Sequence, residues 1–195
     1  MEPFKIHILG CGSALPTLRH NPSAQVVEIR EKQFLVDCGE GTQLQMRRSK
    51  IGFNRLCAVF ISHIHGDHCF GLIGMLSSFG LLGRTMPLAI YAPKELKPVL
   101  DMLLETFCND FDYEIQFHAV DTKKRAVIYE DRSLTVESIP LKHREPCAGF
   151  LFREKPTPNH IRRDMIDFYG IPICMMNRIK NGEDYLSLIH ISEPT

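Results

Sequence analysis

The chain has 195 residues and a mass of 22.3 kDa, enough to bury the core of one domain. Its 23 Lys and Arg balance 23 Asp and Glu, which excludes nucleic-acid binding by bulk charge and leaves room only for a local basic patch. With 44% hydrophobic and 24% charged residues the composition is neither disordered nor fibrous. No run approaches the roughly 20 apolar residues that span a bilayer. Glu2, Lys5 and His7 interrupt what a signal peptide would need as its apolar core, so the start reads as a first strand and the protein as cytoplasmic, with no membrane partner.

In chain order, residues 4–9 form a strand candidate that stops at Gly10-Cys11-Gly12. Residues 24–29 and 33–36 read as a hairpin, and 42–49 as a helix with Thr42 as its N-cap. Residues 58–61 are a short, wholly apolar strand of the kind buried on both faces. A His-rich loop follows, then a helix over 70–82, a strand over 87–91 and a helix over 93–107 with Pro93 at its start. Three more strands are expected at 113–120, 126–130 and 134–139. Strands mixed with helices point to an α/β (α+β) architecture of sheets covered by helices. Composition shifts near residue 154, where charges and prolines replace the apolar pattern, so 1–153 reads as the main domain, 154–182 as a protruding arm and 183–195 as a tail. Cys11, Cys38, Cys57, Cys69, Cys108, Cys147 and Cys174 are scattered without a CxxC pair, which favours reduced thiols over disulfides or a thiolate metal site.

The chemistry is concentrated in Ser62-His63-Ile64-His65-Gly66-Asp67-His68, directly after the buried strand. Imidazoles and a carboxylate this close suit a borderline divalent metal, zinc above all. His63 and His65, two apart in an extended segment, point to one side and can grip one ion. Gly66 permits a turn that re-aims Asp67 and His68 toward a second ion. Paired ions are an arrangement used to attack phosphoryl or acyl centres.

This HxHxDH pattern resembles the metallo-β-lactamase superfamily, which implies an αβ/βα sandwich, here with an incomplete second half. Leu9-Gly10-Cys11-Gly12-Ser13-Ala14-Leu15-Pro16-Thr17, Val36-Asp37-Cys38-Gly39-Glu40-Gly41-Thr42-Gln43 and His65-Gly66-Asp67-His68 followed by Phe70-Gly71-Leu72 narrow the resemblance to the ribonuclease Z family over about residues 4–153. The resemblance implies a zinc-dependent endoribonuclease that removes the 3′ trailer from precursor tRNA, leaving a 3′-hydroxyl, and works as a homodimer. It makes His63, His65 and His143 ligands of a first zinc, Asp67 and His68 ligands of a second, and Asp67 the proton acceptor. On the residues alone His143, between Lys142 and Arg144, is equally ordinary as a solvent-facing side chain. Asp37 has two readings, a turn or cap residue at a strand end or an orienter of a zinc-bound imidazole; the second is favoured. His7, His20, His118, His160 and His190 take an ordinary structural reading. Phe53 and Phe70 could stack on a base, with core packing the default for both.

The sequence also departs from the pattern. The family expects a metal-bridging Asp after the arm and a last His on the second zinc. Asp164, Asp167 and Asp184 lack the strand-then-Asp context, and His190 comes too early. The resemblance therefore implies a chain truncated at its C-terminus, residues 186–195 of non-native character, an incomplete second zinc site and weak or absent activity. In the arm, Gly170-Ile171-Pro172 fits, while Ile173-Cys174-Met175 replaces an expected Gly-Pro. Two alternatives stand beside this: a small-molecule phosphodiesterase or arylsulfatase of the same fold, and an inactive RNA-binding or dimerisation module.

Overall fold

A computed structural model describes residues 4–108, 111–156 and 159–185. It forms two compact units, Met1–Glu154 and Lys155–Thr195. The expectations for the last ten residues and for His190 lie outside the described residues.

In the first unit a six-stranded sheet runs β1(Lys5–Gly10), β2(Ala24–Ile29), β3(Lys32–Val36), β4(Leu56–Phe60), β5(Leu88–Pro93), β6(Ile115–Val120), in that spatial order. The first three strands are antiparallel neighbours, with Ile29 opposite Lys32 across a tight turn at Arg30-Glu31. From β3 to β6 the pairing is parallel. A second, antiparallel sheet holds β7(Ala126–Glu130), β8(Leu134–Leu141) and β9(Cys147–Glu154).

Period-two alternation sorts the side chains into two cores. On β5, Leu88, Ile90 and Ala92 face one core while Ala89 and Tyr91 face the other. The first core lies against helices α1(Thr42–Arg48), α3(Gly71–Leu81) and α4(Leu96–Phe107), with Met46, Leu72, Met75, Leu76, Phe79 and Leu100 buried in it. The second lies between the sheets and is rich in aromatics: Phe60 stacks on Tyr91 at 4.9 Å and meets Phe150 at 5.3 Å. The six-stranded sheet is thus covered by helices on one face and by the smaller sheet on the other. Arg84, only 4% exposed, closes the end of the first core by donating to the carbonyls of Phe53, Leu56, Met86 and Pro87.

Four local expectations need correction. Thr42 is the first helical residue rather than the cap; Gly41 holds the cap position in a left-handed conformation, and the Thr42 hydroxyl donates to the Gly39 carbonyl at 2.7 Å. Pro93 ends β5, and α4 begins at Leu96. The segment after His65 is a helical turn, α2(Gly66–Cys69), where a loop was expected. β9 was not anticipated as a strand, because Ala148 and Gly149 have low strand propensity and are carried by full-length pairing with β8.

The second unit contains α5(Arg163–Phe168) and α6(Ile173–Lys180), separated by Gly170 at φ 58° and Pro172, which caps α6. Asp164 accepts hydrogen bonds from Arg162, and Glu183 from Arg178, so both acids are committed to local ion pairs.

Candidate metal centre

Strands β1, β3 and β4 run in the same direction, so the segments that follow Gly10, Val36 and Phe60 emerge at one edge of the sheet. Clefts beyond the carboxyl ends of such strands are where α/β proteins gather functional groups. The β8–β9 connection adds His143, and Ala148 at the start of β9 donates its N–H to the Ser62 carbonyl at 3.0 Å. Glycines let these segments touch backbone to backbone. A Cβ on Gly71 would lie 2.0 Å from the Gly39 carbonyl oxygen, and one on Gly39 would lie 2.4 Å from the Asp67 carbonyl oxygen. That contact is why glycine stands at both places.

His63, His65 and His143 each present one ring nitrogen, all within 4.8 Å of one another. His63 Nε2 and His65 Nδ1 are 2.9 Å apart. Ser62 Oγ lies 3.0 Å from His63 Nδ1, which leaves Nε2 as the His63 nitrogen that faces the cluster. Burial, followed by the nearby His68, His65 and His143 rings, pushes the His63 pKa down to about 4. His63 is then neutral at pH 7, the form that binds a metal. Converging imidazole nitrogens fit a borderline divalent cation, and among the described residues this is the one group of three or more such donors.

Asp67 and His68 sit beside this triad on α2, with Asp67 Oδ2 3.6 Å from His68 Nε2. Asp67 Oδ2 also accepts the Ala14 backbone N–H at 2.8 Å. Burial alone would raise the Asp67 pKa, but that hydrogen bond and the His68 charge hold it below the usual aspartate value. His68 Nδ1 lies 2.7 Å from Asp37 Oδ2, which leaves Nε2 turned toward Asp67. Here burial works to lower the His68 pKa, and the hydrogen bond and charge of Asp37 outweigh it and raise it.

Asp37 is not among the converging donors. It is 5% exposed, sits at φ 58°, and accepts from Ser62 N–H (2.9 Å) and Ser23 Oγ (3.1 Å) as well as from His68. Its position at the end of β3 makes it a hub that ties the β1–β2 connection and the histidine segment together.

Around these groups is an open cavity of about 840 Å³, lined by Ser13, Ala14, Leu15, Pro16, Glu40 and Phe70 together with the four histidines, Gly66 and Asp67. Sequence reading did not single out Ser62, whose hydroxyl touches two rings, or Ala14, whose N–H holds Asp67; backbone donors leave no signal in the residue type. Phe70 was expected in the core and is instead 67% exposed at the cavity rim. Phe53, by contrast, packs on Phe79 at 5.0 Å as expected. Arg55, next to β4, is occupied with Glu28 and the carbonyls of Arg30 and Glu31.

Comparison with known proteins agrees with this geometry. The family model described as Anti-Pycsar protein Apyc1 matches residues 4–159. Ribonuclease Z of Bacteroides fragilis is 58% identical over 187 residues, covering 96% of this chain and 62% of that protein, so the chain spans about three fifths of that relative's length. The crystal structure of the short form of human tRNase Z matches with a TM-score of 0.70 and 27% identity, over 83% of this chain and 72% of that one. The metallo-β-lactamase fold protein YhfI of Bacillus subtilis matches with a TM-score of 0.61 and 18% identity, over 86% and 68%. The chain belongs to the family described by the Anti-Pycsar protein Apyc1 model, has the metallo-β-lactamase fold and is a sequence relative of ribonuclease Z.

Proposed function

We propose that the protein is, or is the N-terminal part of, a zinc-dependent endoribonuclease that removes the 3′ trailer of precursor tRNA and leaves a 3′-hydroxyl. The observation that carries this is the convergence of His63, His65 and His143 beside an Asp67–His68 pair held by Asp37, in a chain 58% identical to a ribonuclease Z. His63 Nε2, His65 Nδ1 and one His143 nitrogen would hold one zinc, and Asp67 and His68 Nε2 would contribute to a second. Bound zinc would supply Lewis-acid stabilisation of charge on the phosphate and acidify a water.

The chain's own groups prepare that chemistry. Asp37 accepts from His68 Nδ1 and the Ser62 hydroxyl lies against His63 Nδ1, so each ring is held with its Nε2 toward the cavity. Ionised at neutral pH, Asp67 can take the proton of the attacking water. Its Ala14 contact fixes where that carboxylate points. Residues 154–182 are proposed as an arm that contacts the tRNA away from the cut, and the working form as a cytoplasmic homodimer. No helix among the described residues is long and apolar enough to cross a membrane.

The test is incubation with a 3′-extended precursor tRNA in zinc, in chelator, and with His63→Ala. Slow zinc-dependent cutting at the trailer junction, absent in the variant, is expected. Zinc-dependent turnover of bis(p-nitrophenyl) phosphate with the tRNA left intact would replace this reading with the small-molecule phosphodiesterase one.

A further inference from the structure

Phe70 occupies an unusual place for a large apolar side chain. It caps α2 and opens α3, 67% exposed, at the rim of the cavity that contains the histidines. No aromatic ring packs on it among the described residues. One part of the ring is nonetheless seated: a Cβ on Gly66 would lie 2.3 to 2.7 Å from its Cε2, Cζ and Cδ2 atoms. Glycine at 66 therefore lets the ring rest directly on the backbone of the metal-binding segment. The Phe70 N–H donates to the Gly66 carbonyl at 2.8 Å and fixes the turn beneath it. The other wall of the cavity is Ser13–Pro16, with Leu15 exposed and Ala14 tied to Asp67. The result is a supported aromatic surface beside the groups that would handle a phosphate.

We propose that Phe70 is a specificity-determining residue whose ring stacks on a nucleobase adjoining the phosphate at the metal centre. The proposal rests on the phosphodiester reading above and adds to it the recognition of a base. An aromatic platform suits this task because every base has a π face, so stacking gives affinity without demanding one sequence. A phosphodiesterase of aliphatic substrates would have no use for it.

The chain contains no tryptophan, so Phe70→Trp places a single indole at the rim as a reporter. The probes are 5′-adenylate and ribose 5-phosphate, which share sugar and phosphate and differ in the base. Both are added to the zinc-loaded protein, and as phosphomonoesters neither carries the phosphodiester that the proposed reaction cuts. The expected result is quenching of the indole by adenylate, with adenylate binding about 5- to 100-fold tighter than ribose 5-phosphate, the range for stacking of one base. Equal affinity for the two, or no quenching by adenylate, overturns the proposal. Calorimetry on Phe70→Leu gives an independent reading: adenylate affinity should fall toward that of ribose 5-phosphate, whose own binding stays unchanged. An unchanged adenylate affinity in that variant also overturns it. Precursor tRNA left uncut while adenylate still quenches would count against the tRNA reading and leave the base platform standing.

Discussion

Asp37→Asn tests the organisation of the site at a single atom. The amide has the size of the carboxylate, and asparagine tolerates the positive φ at this position. Asp37 is 5% exposed and accepts three hydrogen bonds, from Ser62 N–H, Ser23 Oγ and His68 Nδ1. If the amide oxygen keeps Ser62, the NH2 group faces His68 Nδ1, and the ring must move its proton to Nε2 or break the contact. If the amide is reversed, its NH2 meets the Ser62 N–H. Either way at least one buried polar contact is lost or opposed, at a cost of about 1–3 kcal/mol. For a unit of this size that is a fall in Tm of roughly 2–10 °C. Moving the proton to Nε2 also removes the lone pair that His68 turns toward Asp67, so zinc affinity at that position should drop about 10- to 100-fold. Thermal unfolding in chelator reads the first effect, and isothermal titration with zinc the second. An Asn variant that melts with the wild type and binds zinc equally well would refute the role given to Asp37.

Arg84→Met should destabilise the protein by about 2–4 kcal/mol in urea unfolding, since it leaves four carbonyls at the end of the first core without their donor; a loss below about 0.5 kcal/mol would contradict that. Asp131 links the sheets: burial would raise its pKa, but hydrogen bonds from Lys32, the Ser133 N–H, Tyr129 and the Leu134 N–H bring it to about 2, below the ordinary 3.8. Because the folded value is depressed, its contribution is complete above about pH 4 and is lost as pH falls toward 2. Allowing for solvent at Lys32, that contribution is about 1–2 kcal/mol. Asp131→Asn should be less stable by this amount at pH 7 and show a flatter decline between those pH values. A wild-type slope in the variant would assign the acid sensitivity elsewhere.

The legible and illegible parts of the molecule differ in physical kind. The strand Leu56–Phe60 announces itself as a short unbroken apolar run, and the helix Gly71–Leu81 as a longer, mostly apolar one that ends before Gly83, signals that act locally. Residues 63 and 65 share a direction because of the period of an extended chain, and that too is local. His143 carries no such mark, lying between two cations in an exposed connection, and only the β8–β9 hairpin brings it to His63 and His65. Ser62 and Ala14 act through a hydroxyl and a backbone N–H whose targets are fixed by tertiary contact. The exposure of Phe70 could not be read from Cys69-Phe70-Gly71-Leu72, where an aromatic before a helix looks like core; it follows from Gly66 lying beneath the ring. Thr42 failed as a cap because its hydroxyl serves the Gly39 carbonyl of the turn that packs on Asp67.

Equilibrium dialysis against zinc, comparing the wild type with His143→Ala, tests the metal centre most directly. The account predicts at least one tightly bound equivalent in the wild type and a fall of 100-fold or more in its affinity in the variant, on the order of losing one of three protein ligands. Equal binding by the two proteins, or none by the wild type, would contradict it.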